Sequence, residues 1–244
     1  MSLPVFAVER LPGIGPATLD GPEGKHAATV RRMRAGEELL LSDGSGGMAR
    51  CAVTEAAKDA LSLDVVESWH EPLPELRVRL VQALIKGDRG ELAVELATEA
   101  GVDAVTPWRA ARCVAKWDDG PRGAKALARW RSTATAAAKQ ARRAWVPEVA
   151  EPVSTKQLAK LVAEADAALV LHESAEHALT AEDLPASGEL LLVVGPEGGV
   201  TDQELEALAA AGARPLRLGP AVLRASTAGA VALGALGPLT TRWS

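Results

Sequence analysis

The residues best placed to do chemistry lie between Leu190 and Ala230, LLLVVGPEGGVTDQELEALAAAGARPLRLGPAVLRASTAGA. An apolar run enters Gly195-Pro196-Glu197-Gly198-Gly199, and Thr201 followed three residues later by Glu204 reads as a capping box that opens a helix. Glycines this close together let backbone amides approach a ligand without side-chain obstruction. A second run, Leu216-Arg217-Leu218-Gly219-Pro220, repeats the strand-to-glycine pattern and leads through Val222-Leu223-Arg224 to Ser226-Thr227, read as the cap of a last helix. Two such loops at the ends of neighbouring strands make a binding pocket a better reading than a plain turn. No Gly-Lys-Ser/Thr follows, so this is not a Walker A loop, and GPEGG does not match GxGxxG. Cys51 and Cys113 stand far apart, without metal-ligand spacing or the density of a disulfide framework, so no metal is expected.

A second feature is charge. Residues 109–143 hold ten Lys or Arg against only Asp118 and Asp119, in a chain whose net charge is −5. A basic segment on an acidic body suits a protein with one face toward phosphates, although a solvated helix face gives the same pattern. Trp108, Trp117, Trp130 and Trp145 punctuate the segment; they can stack on bases, but core packing is the commoner fate of tryptophan.

The elements that must position these residues change character near residue 70. Before it, short apolar runs (5–8, 38–42, 50–54 and 61–66) alternate with turn signals such as Gly15-Pro16 and Asp43-Gly44, which predicts four or five strands in a small β-barrel. Within that region, residues 26–34 have helical spacing with Arg31, Arg32 and Arg34, ended by Gly36. Residues 67–75, with two prolines, read as a linker. Beyond it, strands at 76–84, 102–106, 167–171, 190–194 and 214–218 alternate with helices at 89–100, 121–143, 155–165, 202–211 and 226–236. That alternation predicts an α/β fold with a mostly parallel sheet, whose ligands bind beyond the carboxyl ends of the strands.

The GPEGG loop, the helix after it and LRLGPAVLRASTA resemble the cofactor-binding half of the SPOUT methyltransferases, specifically the RsmE family, which methylates N3 of a uridine in 16S ribosomal RNA. Upstream segments are similar too: Leu84-Ile85-Lys86-Gly87-Asp88-Arg89, residues 97–102 followed by Pro107, Arg129-Trp130, and residues 138–143 followed by Pro147. In the first region, His26 to Met33, Gly36 and Asp43-Gly44 resemble the family's barrel domain, so the likeness spans essentially the whole chain. It implies a PUA-like β-barrel over residues 1–70 that holds RNA. It also implies a SPOUT α/β domain with a deep trefoil knot over residues 76–244, and a homodimer that uses S-adenosylmethionine on 16S ribosomal RNA, within the small ribosomal subunit. The cofactor residues it implies are Leu171, His172, Glu173, Val194, Gly195, Pro196, Glu197, Gly198, Gly199, Leu218, Gly219, Val222, Leu223, Arg224, Thr227 and Ala228. Arg31, Arg32, Arg34, Arg129, Arg142 and Arg143 are the RNA-binding candidates.

Methyl transfer to a uridine needs loss of the N3 proton and stabilisation of the charge left on the ring, for which an arginine supplies a permanent cation and a fork of donors. Arg224 is the candidate for that role, and Glu197 for base or for a bond to loop amides. His172 has no partner in sequence and is left without a catalytic role. The family pattern LRxETA has Glu where this chain has Ser226, and either a capping role, which Ser performs equally well, or a role in supporting the residues that touch the ligand is expected there. The rival readings are methylation of another RNA position and a non-catalytic RNA-binding or assembly factor; the retained glycine loops and Arg224 favour the enzyme.

Composition is that of a folded soluble protein and excludes general disorder. The 244 residues are 48% hydrophobic and 24% charged, no run reaches the ~20 apolar residues of a membrane span, and Glu9 and Arg10 interrupt any leader-like stretch, so the cytoplasm is expected.

Overall fold

The computed structural model describes residues 3–180 and 184–243. Residues 1, 2 and 244, at the outer limits of the two predicted domains, lie outside the described residues. The chain divides into two compact units: Met1–Leu73 with Ala138–Val146, and Pro74–Ala137 with Pro147–Ser244.

The first unit is built on β1 (Val5–Ala7), β2 (Gly15–Leu19), β3 (Glu38–Ser42), β4 (Gly47–Ala56) and β5 (Leu61–His70), arranged β1-β3-β4-β5-β2. Only the β1/β3 pair is parallel. Alternate residues of β4 and β5, among them Cys51, Val53, Leu61, Leu63 and Val65, turn inward onto Phe6, Leu39 and Leu41, as a half-buried sheet requires. β2 is absent from the sequence reading because Gly15-Pro16 signals a turn; it is an end strand, where proline is tolerated. β5 extends to His70, so the predicted linker shortens to the residues after it.

The predicted helix at 26–34 is displaced. Helix α1 (Gly21–Lys25) runs into a π-helical turn, His26–Val30, and Arg32 ends it at φ +54°. Arg31, Arg32 and Arg34 therefore follow the helix rather than lying on it. Residues 138–146, read from sequence as part of the second domain, belong to the first unit: Ala144 packs with Val5 and Met48, and the Gly46 N–H donates to the Ala144 carbonyl at 2.9 Å. The Lys139 ammonium pairs with Glu23 and stands 5.2 Å from the Phe6 ring centroid.

The second unit carries an all-parallel sheet of β6 (Leu76–Ala83), β7 (Ala104–Arg109), β8 (Glu148–Val149), β9 (Val153–Ser154), β10 (Ala167–Leu171), β11 (Gly188–Val194) and β12 (Arg214–Leu216). Its order is β12-β10-β11-β6-β7-β8, with β9 also pairing β7. Helices α2 (Arg89–Glu99), α3 (Pro121–Gln140) and α6 (Ala225–Leu239) cover one face; α4 (Thr155–Glu164) and α5 (Asp202–Ala210) cover the other. Successive residues of β6 serve both cores, Val78 and Leu80 packing with Trp130 and Val94, Val81 and Ala83 with Leu158 and Leu208. This is why the central strands read as unbroken apolar runs. No helix of the described residues is long and apolar enough to cross a membrane.

Candidate active site

A cavity of about 460 Å³ opens in the second unit at the carboxyl ends of β10 and β11, lined by three segments: residues 171–173, 194–200 apart from Gly198, and 217–228 apart from Thr227. Every predicted cofactor residue lines it except those two. Gly198 turns instead toward Arg112, whose Cβ and carbonyl lie 3.0 and 3.2 Å from where a Cβ on the glycine would sit, while the Arg112 guanidinium donates to the Gly198 carbonyl at 3.2 Å. The Thr227 hydroxyl donates to the Arg224 carbonyl at 3.2 Å.

Two glycines shape the walls. Gly199 and Gly219 have φ of +74° and +83°, a region that favours glycine. The capping box predicted at Thr201 is present, the Thr201 hydroxyl accepting from the Glu204 N–H while Glu204 accepts from the Thr201 N–H and hydroxyl. Glu204 does more than the motif reveals. Its buried carboxylate also accepts from the Ala111 N–H and the Thr155 hydroxyl, each at 2.8 Å, so one side chain ties the loop after β7 and the start of α4 to the helix that follows GPEGG. Burial alone would raise its pKa; the hydrogen bonds from Ala111, Thr155 and Thr201 outweigh that, and the net shift is downward.

Glu197 is exposed and its Oε1 accepts from the Lys86 N–H at 3.1 Å, joining the loop after β6 to GPEGG. Arg224 occupies the N-cap position of α6 with extended backbone and an exposed side chain. The cap expected at Ser226-Thr227 is not formed: Ser226 lies inside the helix, its hydroxyl without a hydrogen-bond partner. The reason is register, since the cap position falls at Arg224, ahead of the serine. The His172 Nδ1 lies 2.9 Å from the Ser174 hydroxyl, a bond within its own loop.

Sequence reasoning missed Arg89 and Arg217, which also line the cavity and have no ion-pair partner among the described residues. Arg89 opens α2, a helix without a side-chain cap; its place in Leu84 to Arg89 was visible, its direction toward the cavity was not. Among the RNA candidates, Arg31, Arg32, Arg34 and Arg142 are exposed and Arg143 is half-buried, whereas Arg129 pairs with Glu91 at 2.7 Å. The tryptophans of the basic segment divide: Trp108 and Trp130 are buried, Trp117 packs edge-on against Trp130, and Trp145 packs edge-on against His70. No group of three or more His, Cys, Asp or Glu among the described residues could hold a metal.

A parallel sheet with glycine loops and a cavity beyond its carboxyl ends is the architecture of an α/β protein built to bind a small molecule, and the sequence matches the RNA methyltransferase domain over residues 71–237 and the RNA methyltransferase PUA domain over residues 19–66. Ribosomal RNA small subunit methyltransferase E of Mycobacterium bovis is 52% identical, the match covering 98% of this chain and 93% of that one. This chain belongs to the family of ribosomal RNA small subunit methyltransferase E. Among solved structures, a methyltransferase of Legionella pneumophila in complex with S-adenosylmethionine superposes with a TM-score of 0.85 at 29% identity, over 98% of this chain and 99% of that chain. The family's Neisseria gonorrhoeae enzyme, also bound to S-adenosylmethionine, gives 0.83 at 27% identity, over 98% of each chain.

Proposed function

We propose that this protein transfers the methyl group of S-adenosylmethionine to N3 of a uridine in 16S ribosomal RNA of the small subunit. The observation that carries the reading is the cavity bounded by two glycine loops at the ends of adjacent parallel strands, in a chain whose relatives are methyltransferases. The residues fit the cofactor. About 460 Å³ lies within the range of small-molecule sites, Leu171, Val194, Leu218 and Leu223 offer apolar walls for an adenosine, and Gly199 and Gly219 open the backbone to it. S-adenosylmethionine supplies an activated methyl group, so the protein's part is to orient, exclude water and manage one proton. Arg224, exposed at the start of α6, is suited to hold negative charge on the uracil ring. Glu197 already bonds the Lys86 amide through one oxygen, which supports a loop-positioning role and leaves its second oxygen for a proton.

The first unit, Met1–Leu73 with Ala138–Val146, serves as the PUA-like barrel that holds RNA and the second, Pro74–Ala137 with Pro147–Ser244, as the catalytic domain. Support for an RNA surface on the first unit is that the chain carrying Arg142 and Arg143 returns to the unit that bears Arg31, Arg32 and Arg34. A trefoil knot is supported by the chain path. After the end strand β12, the Arg217 N–H donates to the His177 carbonyl, and α6 then packs on α2, β6 and β11. A homodimer is supported by α6, which is apolar all round and leaves Val231 and Leu239 exposed. A ribosomal substrate places the reaction in the cytoplasm.

Nucleoside mass spectrometry of ribosomal RNA from a deletion strain tests the reading. Loss of 3-methyluridine from 16S RNA, restored by the gene, is expected; an unchanged 3-methyluridine content overturns it.

A further inference from the structure

The charged side chains on the cavity wall are Arg89, Glu173, Glu197, Arg217 and Arg224. Neither glutamate forms an ion pair with any of the three arginines, and Glu197 accepts from the Lys86 N–H instead. The wall therefore holds more positive than negative charge, and its guanidinium groups have no counter-ion among the described residues. They differ in burial: Arg217 and Arg224 are exposed, whereas Arg89 is half-buried. Arg89 also borders a groove formed with Asp88, Glu91, Leu92 and Glu95, yet none of these acids pairs with it, and Glu91 is held by Arg129 at 2.7 Å. A cation partly withdrawn from water and left unpaired loses solvation that an anion can restore. A carboxylate brought to it there is also less screened than one on the open rim.

Strand order gives the cavity a direction. β12, β10, β11 and β6 lie side by side, so the strands at its two ends stand about 14 Å apart, three strand spacings. Leu171 at the end of β10 and Leu218 just beyond β12 offer apolar wall for the adenosine, while Arg89 follows β6 on the opposite side. The amino-acid end of S-adenosylmethionine carries a carboxylate, whose two oxygens match the fork of a guanidinium. We infer that the cofactor extends this end toward β6 and that Arg89 binds its carboxylate, fixing where the sulfonium lies; the inference rests on the methyltransferase reading above.

The test compares S-adenosylmethionine with its decarboxylated form, which keeps the adenosine, the sulfonium and the amine, by titration calorimetry on the full-length protein. The unaltered protein is expected to bind S-adenosylmethionine about five- to tenfold more tightly, the scale of a charge-assisted bond partly screened by solvent. In Arg89→Gln that preference is expected to vanish. S-adenosylmethionine then binds more weakly by the same factor, and the decarboxylated ligand binds as well as before or better, because a repelling cation is gone. The melting temperature of the ligand-free variant is expected to stay level, since the Arg89 side chain has no partner within the described residues to lose. Equal binding of the two ligands by the unaltered protein overturns the inference and leaves the methyltransferase reading standing, as does a preference that survives Arg89→Gln. An equal loss of affinity for both ligands in the variant also overturns it, because Arg89 would then shape the pocket rather than read the carboxylate. Failure of the unaltered protein to bind either ligand overturns the methyltransferase reading as well.

Discussion

Gly219 holds its loop at φ +83°, and a Cβ placed there would meet no atom within 4 Å. The cost of Gly219→Ala is thus conformational, about 1–2 kcal/mol, and it falls on a loop that lines the cavity. Cofactor affinity measured by calorimetry is expected to drop at least about fivefold, with the melting temperature lowered by only a few degrees. Gly198→Ala works differently. It presses on Arg112 and is felt by the loop after β7, so its effect on the cofactor is indirect and smaller. Arg89 makes the opposite case, a side chain rather than a backbone position. With a place on the wall of the proposed cofactor cavity and no carboxylate partner among the described residues, Arg89→Gln is expected to weaken S-adenosylmethionine binding severalfold by calorimetry, with the melting temperature of the ligand-free protein little changed.

Helices and loops are joined by two buried side chains. Glu204 connects α5, the loop after β7 and α4. Because its pKa is depressed in the folded protein, the stability it provides is fully present above the ordinary carboxylate range, about 4.3, and is lost as pH falls through the lowered value. Glu204→Gln is expected to cost about 1–3 kcal/mol near neutrality, and urea unfolding at two pH values should show the gap from the unaltered protein narrowing under acid. Arg242, just beyond α6, is the second joint. Its guanidinium bonds Asp103 at 2.7 Å and the carbonyls of Leu76 and Gly101, with both charged side chains under a tenth exposed. Removing Arg242 takes from this joint a direct ionic partner of a buried carboxylate and two bonds to carbonyls. Arg242→Ala is therefore expected to lose about 3–5 kcal/mol in equilibrium unfolding, whereas the exposed Arg131–Glu151 pair is worth under about 1 kcal/mol.

At the scale of the molecule, charge is segregated: a net −5 overall gives no general attraction to RNA, so affinity must come from local arginines. If Arg31, Arg32 and Arg34 meet phosphates, changing all three to Ala should weaken binding to small subunits and flatten the logarithmic salt dependence by about 0.7–0.9 for each phosphate no longer neutralised, with cofactor affinity intact. An unchanged slope would move the RNA surface off the first unit. Sedimentation of the free protein tests the dimer; Val231→Glu, on the outward side of apolar α6, is expected to shift a dimer toward monomer at micromolar concentration.

The sequence by itself determined the second unit in outline. Strand β10 was read at its observed limits and α2 and α4 within one residue, because a strand buried on both faces and a helix with one apolar stripe leave unmistakable local patterns. The cavity was legible for the same reason, since glycine loops after apolar strands are contiguous in sequence. What the tertiary structure decided were facts about distant partners. Residues 138–146 join the first unit because Ala144 and Trp145 meet Val5 and Met48 from the far end of the first unit's sequence, which no periodicity within α3 records. Arg89 turns to the cavity, Glu204 gathers three segments, and Ser226 is stranded without a bond because of where other segments lie. A side chain's type is written in the chain, but whether its hydrogen-bonding groups are satisfied depends on everything packed around it.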